Sequence, residues 1–125
     1  MNHRDLITEV RAKPGLFGLD GSYRSSVAFL VGLDLGSSGG LLRGFSEWLV
    51  VRRGHRTSLG WQRLVLEVAL AGESISGPAD LDGAREQRSV DFLFALLIEF
   101  LELRDNSLEF ARMYAAYSSL YASDE

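Results

Sequence analysis

A chain of 125 residues, 46% hydrophobic and 24% charged, has the size and balance of one globular domain, residues 1–125, with enough core to fold unaided. It has no cysteine, which excludes disulfides, thiolate metal sites and cysteine nucleophiles. Seventeen acidic against thirteen basic residues leave a net charge of −4, which argues against non-specific nucleic-acid binding and suits a basic protein partner.

The first helix is expected over Asp5 to Lys13, with Leu6, Ile7 and Val10 on one face. It should end at Pro14-Gly15, because the residue before proline disfavours the helical region. Leu16 and Phe17 follow in a tight loop that would return both side chains to the core. Ser22 suits the N-cap of a second helix reaching about Leu35, with Tyr23, Val27, Leu30 and Val31 in its stripe. After the small residues 36–40, a third helix is expected from Leu41 to Arg53, with Phe45, Trp48 and Leu49 inward and Gly54 at its end. Ser58 would cap a fourth, in which Trp61, Leu64, Val65 and Val68 follow the i, i+3, i+4, i+7 template.

Gly, Ser, Pro and Asp dominate from Gly72 to Gly83, the longest expected loop. A fifth helix, Ala84 to Arg104, has only Glu99 and Glu102 as polar positions between Phe92 and Leu103, so neighbours should surround it. The sixth begins at Ser107 and aligns Phe110, Met113, Tyr114, Tyr117, Leu120 and Tyr121, with Ala111, Ala115 and Ala116 between them as close-packing positions. No convincing strand periodicity occurs. The expectation is an all-α bundle of about six helices around a buried fifth helix.

Catalytic chemistry finds little footing. Of the two histidines, His3 lies near a terminus and His55 in a loop among Arg52, Arg53 and Arg56, and neither has metal-ligand spacing. The arginines follow the third helix, where positive charge favours the helix dipole. Gly36-Ser-Ser-Gly39-Gly40 lacks the lysine and preceding strand of a phosphate loop. Glu99 and Glu102 could pair with arginines of a neighbouring helix. No cofactor, metal site or catalytic residue is expected. The candidate partner-binding residues are Glu73, Asp80 and Asp82 in the long loop, and Tyr114, Tyr117 and Tyr121 on the last helix. Asp82 also suits the N-cap of helix five. The tyrosine spacing fits a core-facing stripe first and an interface second.

Several elements together resemble a known group: Lys13-Pro-Gly-Leu-Phe-x-Leu, the capped helix with Phe29 and Gly32, Phe45-x-x-Trp48-Leu49 followed by Arg53-Gly54, and Gly60-Trp61-x-x-Leu64-Val65. Phe92, Phe94-x-x-Leu97 and Phe100 complete the pattern. It is similar to small α-helical bacterial immunity proteins of polymorphic toxin systems. The resemblance implies a non-catalytic protein that neutralises a cognate toxin domain, with a basic toxin surface as the expected partner. The alternative is a self-associating structural or regulatory module. The N-terminus lacks an apolar signal core, and the apolar runs 27–33 and 92–98 are far shorter than the ~20 residues of a membrane span. The expected location is therefore cytoplasmic.

Overall fold

The computed structural model describes residues 2–73 and 81–122. In chain order these form α1 (His3–Ala12), a 3₁₀ turn (Pro14–Phe17), α2 (Tyr23–Gly36), α3 (Phe45–Arg53), α4 (Trp61–Ala69), α5 (Gly83–Arg104) and α6 (Ser107–Ala122). The described residues contain no strand. The architecture is all-α, and α5 packs against each of the other five helices. Its buried side chains, Leu93, Phe94, Leu96, Leu97, Phe100 and Leu101, point to several neighbours at once, as a helix apolar around most of its circumference must. The outer edge still opens: Phe92 is 38% exposed.

Local chemistry sets most boundaries. Asn2 caps α1, accepting from the Asp5 amide at 2.8 Å. Ser22 caps α2, accepting from the Ser25 amide at 3.1 Å. Beside it, Asp20 accepts from the Ser22 amide at 2.9 Å and the Ser25 hydroxyl at 2.7 Å. Bonding to the two serines, Ser22 first, pulls the Asp20 carboxyl down to about 2. Asp82 caps α5, accepting from the Arg85 amide at 3.0 Å. Each bond satisfies an amide that the helix start leaves without an intrahelical partner.

Four expectations are corrected here. The third helix starts at Phe45 rather than Leu41, because residues 37–44 fold as successive turns. In them Ser38, Gly39 and Gly44 adopt left-handed backbone at φ 56°, 78° and 91°. Leu41 is buried nonetheless. Ser58 does not cap α4; Gly60 holds that position without a side-chain bond. Leu16 stands 77% exposed, while its neighbour Phe17 does turn inward and meets Phe29 edge-on at 6.0 Å. Finally, Ala111, Ala115 and Ala116 face solvent, not a packed neighbour.

The centre of the molecule is an aromatic cluster. Phe45, Trp48 and Phe100 lie 5.5–6.1 Å from one another, Trp61 is 5.8 Å from Phe45, and Phe110 is 6.2 Å from Phe100. Offset and edge-on aromatic contacts of this kind add about 0.5–1.5 kcal/mol each beyond burial. One cluster therefore ties α3, α4, α5 and α6 together. Trp48 is buried at 7% exposure, whereas Trp61 is only half-buried. A second tie crosses the core on the other side: the Tyr23 hydroxyl donates to the Gln62 carbonyl at 2.6 Å, joining α2 to α4.

Candidate protein-binding face

The tyrosine row is placed by the packing of α6 along α3. The two helices run in the same direction. Phe110 lies against Gly44, Tyr114 meets Glu47, and Tyr121 meets Thr57 beyond the end of α3. Close approach at the first point depends on Gly44, since a Cβ there would sit 2.8 Å from the Phe110 ring. Further along, the Tyr114 hydroxyl donates to the Glu47 carboxylate at 3.4 Å, and the Tyr121 hydroxyl donates to the Thr57 carbonyl at 3.3 Å. Tyr117 and Tyr121 stack at 4.8 Å.

All three tyrosines are half-buried, packed against the core cluster yet partly open to solvent. They pack against the core with the ring face and reach its edge with the hydroxyl. Burial pushes the Tyr114 phenol up, and the Glu47 charge adds to it. Burial likewise raises Tyr117, with the bond to Tyr121 next in weight. These phenols are therefore neutral donors at physiological pH.

Arginines flank the row. Arg43 lies over the Phe110 ring at 5.8 Å and Arg56 over the Tyr121 ring at 5.4 Å. A shallow dish of about 360 Å³, lined by Arg56, Thr57, Ser58 and Tyr121, opens at the Tyr121 end. Residues 113–122 of α6 contain no charged side chain. Together these features form a neutral aromatic strip between two guanidinium groups. Tyrosine and arginine are the residue types that protein interfaces concentrate.

The carboxylates expected beside the tyrosines lie elsewhere. Glu73 is clamped between two α5 arginines, Arg85 at 2.9 Å and Arg88 at 2.8 Å, so it joins the end of α4 to the start of α5. Asp82 is occupied as the α5 N-cap. Asp80 lies outside the described residues. Thr57 precedes α4 and Glu73 follows it, so the 9 residues of α4, about 13 Å of helix, separate the two groups. The structure thus keeps the tyrosines together and sets Glu73 and Asp82 apart from them.

Glu47, Thr57 and Arg43, which help complete the face, carried no signal as binding residues, and Arg56 stood out only as part of the basic cluster that follows the third helix. Their link to α6 spans more than sixty positions of sequence, and no local pattern encodes it.

Other candidates resolve as structural. Arg52 pairs with Glu99 at 3.3 Å and lies over Trp48, and Arg53 pairs with Glu67 at 3.0 Å. The α3–α4 crease beneath them, about 230 Å³, falls short of the roughly 300–1,000 Å³ of a small-molecule site. His55 is exposed. His3 Nδ1 lies 3.4 Å from the Arg104 guanidinium, which also donates to the Leu41 and Arg43 carbonyls at 2.9 and 3.1 Å. Among the described residues no three His, Asp or Glu side chains converge as a metal site. No helix among them is long and apolar enough to cross a membrane. Comparison with protein-family models, with curated proteins and with solved structures gives no match.

Proposed function

We propose that this chain is a non-catalytic binding protein of the bacterial immunity or antitoxin type, which neutralises a toxin domain by docking on the α3–α6 face. The observation that carries the reading is the half-buried tyrosine row. Tyr114 and Tyr121 are fixed by packing and by hydroxyl bonds to Glu47 and Thr57, and Tyr117 by its ring contact with Tyr121, so they lose little conformational freedom on binding. Rigid, amphipathic aromatic groups at the edge of a core are the usual anchors of a tight interface. The net charge of −4 supports a basic toxin domain as partner, since opposite fields speed encounter.

The test begins with the neighbouring gene: a toxin domain encoded immediately upstream is the expected finding, and it is co-expressed with this chain. The parent protein should protect cells and form a stable complex. Tyr117→Ala with Tyr121→Ala should weaken that complex by at least about 2 kcal/mol, the scale of interface anchors. Absence of both protection and complex formation would sink the reading.

A second reading has its own observation. The outward side of α6 carries Leu108 at 58% exposure beside the exposed Ala111, Ala115 and Ala116, an apolar surface on which a self-associating module could pair. Sedimentation of the isolated protein decides it: a monomer at high micromolar concentration excludes this alternative.

A further inference from the structure

A cleft of about 120 Å³ lies away from the α3–α6 face, where α1, the start of α2 and the first half of α5 meet. Gln87, Val90, Asp91 and Phe94 follow one another at i, i+3, i+4 and i+7 of α5, so a single stripe of that helix forms one wall. Arg11 from the last turn of α1 and Ser26 from α2 complete it. Depth and mouth differ in chemistry. Phe94 and Ser26 are 3% and 1% exposed, Leu19 and Val90 are half-buried, and Arg11, Gln87 and Asp91 are exposed. The two charges at the mouth do not pair with each other. Arg11 makes no ion pair with a described residue, and Asp91 accepts from the neutral Gln87 amide at 2.9 Å. The larger crease beneath Arg52 and Arg53 lacks this feature, because Glu99 and Glu67 already neutralise both cations.

We propose that this cleft binds a small aliphatic α-amino acid. The side chain enters between Leu19, Val90 and Phe94, the carboxylate meets the Arg11 guanidinium, and the ammonium meets the Asp91 carboxylate. Size sets the class. A cavity of about 150 Å³ takes a benzene ring, so one of about 120 Å³ admits roughly the four carbons of a valine skeleton with its charged ends left at the mouth. Cofactor- and drug-sized molecules, which need roughly 300 Å³ or more, do not fit. Charge sets the rest: a zwitterion offers an anion to Arg11 and a cation to Asp91 together, and charge-assisted bonds of this kind are about twice as strong as neutral ones. The wall is set before a ligand arrives, since Gly21 turns at φ 87° into the capped start of α2, where Asp20 and Ser22 both hold Ser25. Less ordering is then needed on binding. The inference goes beyond the protein-binding reading and stands or falls separately from it.

The experiment is an amide-correlation NMR titration of the full chain with L-valine, and with isobutylamine and isovalerate, which each lack one of its charged ends. Valine should bind with a dissociation constant of about 1 mM or tighter and shift amides around Arg11, Leu19, Ser26 and Asp91. Each one-ended probe should bind about tenfold more weakly or worse, the scale of one charge-assisted contact. Arg11→Gln and Asp91→Asn, both at exposed positions, should each weaken valine by a similar factor. Arg112→Gln, at an exposed position of α6, should bind valine as the parent does. Thermal melts check that each variant is folded. No shift at millimolar valine, or shifts scattered away from the cleft, overturns the inference. So does equal affinity for a one-ended probe, parent-like binding by either folded rim variant, or an equal loss in Arg112→Gln.

Discussion

Trp48 and Trp61 are alike in sequence, one centring and the other opening a clean apolar stripe, and unlike in place. Trp48 touches Phe45 and Phe100 at the centre of the aromatic cluster and is 7% exposed. Trp61 touches Phe45 from the rim and is half-buried. Trp48→Ala should therefore cost about 3–5 kcal/mol and Trp61→Ala clearly less, about 2 kcal/mol; urea midpoints of the two variants check the order. Tyr23 is buried with its hydroxyl on the Gln62 carbonyl, and burial drives its phenol well above the ordinary value near 10. A folded-state pKa raised in this way gives stability that is complete below about pH 10 and lost as pH climbs above it. Denaturant melts between pH 8 and about 11.5 should show a steeper alkaline loss in the parent than in Tyr23→Phe. Equal losses would show that Tyr23 ionises freely in the folded state.

The elements differ in how visible their ends were. Two helix starts were legible from a short polar side chain at the cap, since Ser22 and Asp82 make the bonds their positions imply. That role makes Asp82 a poor probe of binding: Asp82→Ala should lower stability by about 1 kcal/mol through loss of the cap, measurable by thermal melting before any partner is added. The start of α3 was not legible, because Leu41-Leu42 continue its apolar pattern although the backbone is still turning. What stops the helix there is Gly44 at φ 91°, with Phe110 directly above it. Gly44→Ala combines a disfavoured backbone with a side-chain clash and should destabilise by about 1–3 kcal/mol. A variant as stable as the parent would show that α6 shifts freely along α3. In α6 the apolar face was readable from spacing, but the role of its alanines was not. Small residues suit a packed helix and an open one equally, and only the position of α3 decides between them.

At the scale of the molecule, the all-α class and the central place of α5 were legible because its apolar run admits no solvent-facing side beyond a narrow edge. The candidate site was legible by half. The tyrosines share one helix, so their spacing announced them, whereas Arg43, Glu47, Arg56 and Thr57 join them only through tertiary packing. Glu73 was read as a free loop residue because its two arginine partners lie on the far side of the loop that follows it. The same central helix also has a consequence for synthesis. The buried faces of α1, α2, α3 and α4 all find a shared partner in α5, whose core-forming positions run from Ser89 to Leu101. A nascent chain at about 5–20 residues per second therefore carries four apolar faces for several seconds before the segment that covers them leaves the ribosome. A fragment ending at residue 82 should accordingly show no cooperative thermal transition and should bind a hydrophobic dye, while one ending at residue 106 should recover cooperativity. A cooperative melt in the shorter fragment would mean that the first four helices cover one another. Otherwise the N-terminal two thirds of this protein spends its early life as a client for whatever holds exposed apolar chains apart in the cell, until the fifth helix arrives.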